Sequence, residues 1–182
     1  MLIFSLLRFC CCIIFGSLVV FMPQKVYAAD LDIFILHSYH QEYPWTKRQN
    51  EGIVSTLQAY FANRDIAFST EYLDTKRVEF SKEYQSFFKG YLQKKYFNLT
   101  PDIIFLTDDN AVQFMHRYQT NIFPDVARVF CGVNDTSLKI PLPAAKACGV
   151  FEVKDLVANL KLIERLFPEI DRVGVVGDNS ST

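Results

Sequence analysis

The sequence predicts an α/β fold, a doubly wound parallel sheet of about five strands with helices on both faces. Two patterns carry that prediction. From Leu31 onward, short runs rich in β-branched and aromatic residues alternate with longer stretches of helical period. Several of the short runs, such as Ile103 to Leu106, are apolar without interruption, as strands covered on both faces are.

Taken in order, Leu31 to Leu36 reads as a buried strand. Thr46 opens a helix with Gln49 three residues on in a capping-box pattern, and Ile53, Leu57, Tyr60 and Phe61 share a face. A strand over Ala67 to Leu73 precedes a helix opened by Ser81, whose stripe is Tyr84, Phe87, Phe88, Tyr91 and Leu92. Pro101 leads into the strand ending at Leu106, and Asn110 to about Tyr118 is its helix. Strands Ala127 to Cys131 and Cys148 to Phe151 follow, separated by a loop containing Pro141 and Pro143. Asp155 to Phe167 reads as a helix with Leu156, Leu160, Ile163 and Phe167 on one face, and Arg172 to Gly177 as a further strand. Ser81 and Asp155 read as ordinary helix caps. That last strand has no following helix to cover it, so the expectation is a fragment whose second unit continues beyond Thr182.

The first 28 residues have a different grammar. Arg8 precedes an apolar run from Phe9 to Met22, and Val26-Tyr27-Ala28 makes a small-residue cleavage pattern. The run is shorter than the roughly 20 residues of a spanning helix. Residues 1–28 are expected to be a signal peptide cleaved after Ala28 or Ala29; the alternative is an uncleaved anchor counted from Leu2. Either places the remainder outside the cytoplasm, in the periplasm. Half the residues are hydrophobic, enough to bury a core. The chain holds 19 basic and 20 acidic residues, net −1, and without Arg8 and Lys25 the remainder carries −3. That balance has no electrostatic footprint for nucleic acid.

Cys10, Cys11 and Cys12 lie within the apolar run and lack the small residue a lipoprotein site needs before its cysteine. Cys131 and Cys148 remain, and an oxidising compartment permits their pairing as a disulfide. Two buried free thiols is the equal alternative.

In an open parallel sheet, the loops after the carboxyl ends of the strands gather at the switch point, where ligands bind. Here they are His37 to Trp45, Asp74 to Arg77, Thr107 to Asn110, Gly132 to Asp135, and Glu152. Hydroxyls, amides, carboxylates and rings beside helix starts suit a small polar or anionic ligand. Ser, Thr, Asp and Asn at such places are also ordinary caps, and Asp108-Asp109-Asn110 admits both readings equally. Trp45 beside Pro44 either plugs the sheet end or stacks on a ligand. The expected ligand-binding set is His37, Ser38, Tyr39, Trp45, Asp74, Asp109, Asn110 and Asn134.

Other chemistries have weaker support. His37 and His40 lack a third ligand at the rim, because His116 lies in mid-helix, so no metal is expected. Cys131 ends a buried strand, where a thiol is usually inert. Asp108 and Asp109 are adjacent, so their side chains diverge instead of flanking one bond. No nucleophile elbow, phosphate loop or dinucleotide glycine pattern occurs, so neither a catalytic residue nor a cofactor is expected. The glycosylation triplets at Asn98 and Asn134 carry little weight if the source is bacterial.

Five stretches in order carry a resemblance: Leu36-His-Ser-Tyr-His-Gln-Glu-Tyr-Pro-Trp-Thr46, Tyr72-Leu-Asp-Thr-Lys-Arg77, Asp108-Asp-Asn-Ala111, Val129-Phe-Cys-Gly-Val-Asn134 and Gly149-Val-Phe-Glu152. Together they resemble the periplasmic sensor regions related to ABC-transporter substrate-binding proteins. The resemblance covers about Leu31 to Asp178. It implies a type I periplasmic-binding-protein fold of two α/β lobes closing on a ligand. The first lobe would be residues 30–152, and residues 153–182 would hold the hinge crossing and the start of a truncated second lobe. It implies a small-molecule-sensing domain linked to a histidine kinase or diguanylate cyclase, with a membrane signalling module as partner. The alternative is a solute-binding protein serving an ABC permease, and a second alternative is an extracytoplasmic enzyme on the same sheet. No kinase or cyclase signature follows in these residues.

Overall fold

The computed structural model describes residues 29–137, 146–153 and 155–176. The expected leader, the loop of Pro141 and Pro143, Lys154 of the expected crossing, and the chain from Gly177 lie outside the described residues.

The element order is β1 (Leu31–His37), α1 (Pro44–Tyr60), β2 (Ile66–Tyr72), α2 (Lys82–Lys95), β3 (Ile103–Thr107), α3 (Asp108–Tyr118), β4 (Ala127–Val133), β5 (Ala147–Phe151) and α4 (Leu156–Leu166). All five strands join one sheet in the order β2-β1-β3-β4-β5, and every pairing is parallel. The apolar run Ile33 to Leu36 suits β1 to an interior place in the sheet: paired on both edges and buried on both faces, the run exposes almost nothing to water.

The two faces are built differently. Phe34, Leu36, Ile104 and Leu106 pack with Phe88 and Leu92 of α2 and with Phe114 and Met115 of α3 in the main core. Phe88 and Phe114 meet edge to face at 5.5 Å. On the opposite face, His37 reaches Asn50 of α1. With helices on both faces the sheet is doubly wound.

Helix termini follow local chemistry. Ser81 caps α2 by accepting the Tyr84 N–H at 3.1 Å, and Asp155 caps α4 by accepting that of Ala158 at 2.8 Å. The expected box at Thr46 and Gln49 does not form. Pro44 takes the first turn, so α1 starts two residues earlier and no side chain caps it. In α2, Phe87 leaves the expected stripe and is 70% exposed, while Gln85 turns inward to the carbonyl of Phe80.

One other expectation is corrected, and for the cysteines one of the two alternatives is observed. Residues Arg172 to Val176 form no strand among the described residues, and Val176 is 99% exposed, because no described strand offers its backbone a ladder. Cys131 and Cys148 are free thiols, not a disulfide. The register sets Cys148 opposite Val129, two residues from Cys131. On ordinary strand spacings that diagonal is about 8 Å, beyond the roughly 4.4–6.8 Å between the Cα atoms of a disulfide.

Candidate functional site

From β1 the chain steps to one side to form β2, then returns across β1 to β3, β4 and β5. The loops after β1 and β3 therefore leave the carboxyl edge in opposite directions and open a crevice between them. A cleft of about 130 Å³ occupies that place, lined by Tyr39, Tyr43, Trp45, Lys76, Asp108, Asn134 and Glu152. Every strand end contributes: the loop after β1 and the start of α1 bring three rings, and those after β2, β3, β4 and β5 bring Lys76, Asp108, Asn134 and Glu152 in turn.

Two rim aspartates turn the chain out of the sheet in the left-handed region, Asp74 at φ 54° and Asp108 at φ 65°, which a short polar side chain tolerates best after glycine. Asp74 is held by Arg77, whose Nε donates to its two oxygens at 2.8 and 2.9 Å. His40 Nδ1 lies 3.4 Å from Asp74 Oδ1, close enough for an ion pair but without hydrogen-bond geometry.

Asp108 sits at the floor. Its Oδ1 accepts the Trp45 indole N–H at 3.0 Å. The Gln49 amide, oriented by the surrounding network, donates to Asp108 Oδ2 at 3.2 Å and accepts from the same indole at 2.9 Å. A bulge between β4 and β5 makes room: Gly132 has φ +70°, and a Cβ there would lie 2.8 Å from Asp108 Oδ1 and 2.7 Å from the end of the Gln49 amide. Burial pushes the Asp108 carboxyl up to about 6, against the lowering pull of hydrogen bonds such as that from Trp45.

The expected ligand set divides by depth. Tyr39, Trp45 and Asn134 line the cleft. Tyr39 packs edge to face on Tyr43 at 5.3 Å, and Trp45 is 45% exposed. Asn134 Oδ1 is buried without a hydrogen-bond partner. Asn110, almost buried, donates from Nδ2 to Thr75 Oγ1 at 2.8 Å. Asp74 stands at the rim beside His40 and Arg77 rather than in the cleft lining.

His37, Ser38 and Asp109 lie beneath the cleft and are structural. His37 is fully buried: Nδ1 meets Thr107 Oγ1 at 2.8 Å, Nε2 meets Asn50 Oδ1 at 3.1 Å, and the ring stacks on Tyr72. Burial drives its pKa down to about 4, so it is neutral, and an amide oxygen at Nε2 places the proton there. Ser38 Oγ donates to the Thr107 carbonyl at 2.7 Å and accepts the Ala111 N–H at 2.8 Å, capping α3 from another strand. Asp109 Oδ1 accepts the backbone N–H groups of Asn134 and Asp135 at 3.1 and 2.9 Å, pinning the loop after β4.

Tyr43, Lys76, Asp108 and Glu152 join the cleft although the sequence reading did not select them. All four stand in the strand-end loops, the signal that could have found them. Beside the cleft, and sharing Trp45 and Glu152, a second hollow of about 340 Å³ is walled by Gln49, Cys131, Gly132, Val150 and Phe151. Burial raises the Cys131 thiol to about 11, so this thiol is protonated and a poor nucleophile at neutral pH.

No protein-family model matches the chain, and no curated protein matches it significantly. Among solved structures it is similar to the ligand-free, open structure of CD0873, a substrate binding protein with adhesive properties from Clostridium difficile. The two superpose with a TM-score of 0.54 at 17% identity, over 76% of this chain and 44% of that one, so the chain matches less than half of that protein's length. At this identity the likeness shows the fold alone, an α/β arrangement shared with the matched part of that protein. Among the described residues, no helix is long and apolar enough to cross a membrane.

Proposed function

We propose that residues 30–152 are the first lobe of an extracytoplasmic domain that senses a small molecule, holding it against a second lobe that begins within residues 153–182. The observation that carries this reading is the convergence of all five strand ends on one cleft at the switch point. Ligand contacts that exist only when the lobes close would favour the closed state and pass the change to a membrane-linked histidine kinase or diguanylate cyclase. Binding occurs without turnover, and no cofactor is required.

The test is calorimetric titration of the exported protein with a panel of small polar metabolites. Trp45→Ala and Asn134→Ala, both changes in the cleft lining, are expected to weaken binding of any hit while leaving the thermal unfolding transition cooperative. Unchanged affinity in both overturns the site. A hydrolysis screen in which turnover disappears with Asp108→Asn, a change at the cleft lining, while unfolding stays cooperative overturns the binding reading in favour of an enzyme.

A second reading, a solute-binding protein delivering its ligand to an ABC permease, is favoured by the fold shared with a substrate-binding protein. The coding sequence after Thr182 separates the two. A spanning helix with a kinase or cyclase region supports sensing, and an adjoining permease gene supports transport.

A further inference from the structure

We propose that the ligand carries an organic cation, which seats on the Tyr39 and Tyr43 rings against the Asp108 carboxylate, where the Lys76 ammonium lies. The inference rests on the cleft being the binding site and adds the charge class of what it binds.

Three observations point the same way. Lys76 Nζ lies 5.0 Å from the centre of the Tyr39 ring and 6.0 Å from that of Tyr43, so these faces already hold an ammonium group from the chain itself. The other side chains of the lining are acceptors or rings: the carboxylates of Asp108 and Glu152, the Asn134 amide and the half-exposed Trp45 indole. Asn134 Oδ1 is buried with no donor, an acceptor that a ligand N–H or a polarised C–H would satisfy.

The physical logic is one of exchange. Asp108 is nearly buried, and its hydrogen-bond donors, the Trp45 indole and the Gln49 amide, are both neutral. A carboxylate in that position gains more from an added cation than one in water does. An anion in the same place meets two carboxylates and an unpaired amide oxygen, with Lys76 as the one cation among the described lining residues. A ligand cation would take the place of the Lys76 ammonium on the two rings, an exchange of one cation for another on the same faces.

Trp45 is the only tryptophan of the chain, so its emission reports on the cleft without a label. The full chain is titrated with tetramethylammonium, tert-butanol and pivalate, a cation, a neutral molecule and an anion of similar shape. Tetramethylammonium is expected to change Trp45 emission saturably, with a dissociation constant roughly tenfold or more below that of tert-butanol, and pivalate to bind more weakly still. Asp108→Asn, checked for cooperative unfolding, removes the preference for the cation. Lys76→Met tightens tetramethylammonium binding by vacating the rings.

Equal or tighter binding of tert-butanol or pivalate overturns the proposal, as does Lys76→Met leaving tetramethylammonium affinity unchanged or weaker. The wider reading fails differently. If none of the three probes acts but a neutral or anionic metabolite changes Trp45 emission and loses that effect with Asn134→Ala, the cleft stands and the charge class falls. If no compound of any charge acts on Trp45, the binding reading falls with it.

Discussion

Trp45 donates its indole N–H to Asp108 Oδ1 across 3.0 Å, tying the start of α1 to the end of β3 at the floor of the cleft. Gln49 closes the triangle from one turn further along α1. Trp45 also stands on the boundary between the polar cleft and the apolar hollow beside it, since it lines both. Any change that moves the Asp108 carboxylate therefore moves the ring that a ligand would meet.

Gly132 is the residue on which this triangle depends. Gly132→Ala places a methyl group within 2.8 Å of Asp108 Oδ1 and forces an L-residue to φ +70°. The expected cost is about 1–3 kcal/mol of stability. Urea unfolding measures the loss, and a shift in Trp45 emission accompanies it. A variant with native stability and unchanged emission shows that the bulge does not hold the carboxylate in place.

His37 and Asp108 oppose one another in acid. The Asp108 carboxyl has a folded pKa raised from 3.8 to about 6, so between those values the native state binds more protons than the unfolded one and stability falls as pH rises. The His37 ring has a folded pKa lowered from 6.5 to about 4, so between those values the unfolded state binds more protons and stability falls as pH drops. Each contributes about 3 kcal/mol at most, with opposite sign over nearly the same window. Urea unfolding from pH 4 to 6.5 is expected to show Asp108→Asn losing stability toward acid and His37→Gln gaining it. Parallel pH profiles for the two variants would show that one of these groups is not buried in the ionisation state described.

Much of the fold was legible in the sequence because burial leaves a mark on composition. Strands β1 and β3 read as uninterrupted apolar runs, and Ser81 announced α2 by its place three residues before Tyr84. What failed depended on tertiary partners. Pro44 displaced the expected start of α1, and Arg172 to Val176 had no neighbour to pair with. The site was legible as a set of loops but not in depth. His37, Ser38 and Asp109 carry side chains suited to a ligand, yet the pleat and the turn at Asp108 send them under the rim. Of two adjacent aspartates, the one facing the cleft is chosen by a left-handed turn at Asp108 packed against the Gly132 bulge, a contact between strands that no local pattern records.

Asp109 should therefore behave as a brace. Removing its carboxylate leaves the backbone N–H groups of Asn134 and Asp135 without their acceptor. Asp109→Ala is expected to cost about 2–3 kcal/mol. Hydrogen exchange should accelerate at the amides of Asn134 and Asp135 well before it does in β1. Full protection at those two amides in the variant contradicts this role.

The two strand cysteines give a chemical check on the register of the sheet edge. Cys148 is exposed, whereas Cys131 is partly buried and its thiol is raised to about 11. Alkylation of the native protein at neutral pH, followed by peptide mass mapping, is expected to label Cys148 rapidly and Cys131 only on unfolding, since the thiolate is the reacting form. The same outcome is expected after mild oxidation, because the diagonal placement of Cys148 opposite Val129 holds the thiols too far apart to join. Recovery of a peptide linking Cys131 to Cys148 would require β5 to slide by two residues against β4. That shift would move Glu152 away from Val133, to which its N–H donates at 2.7 Å, and out of the cleft.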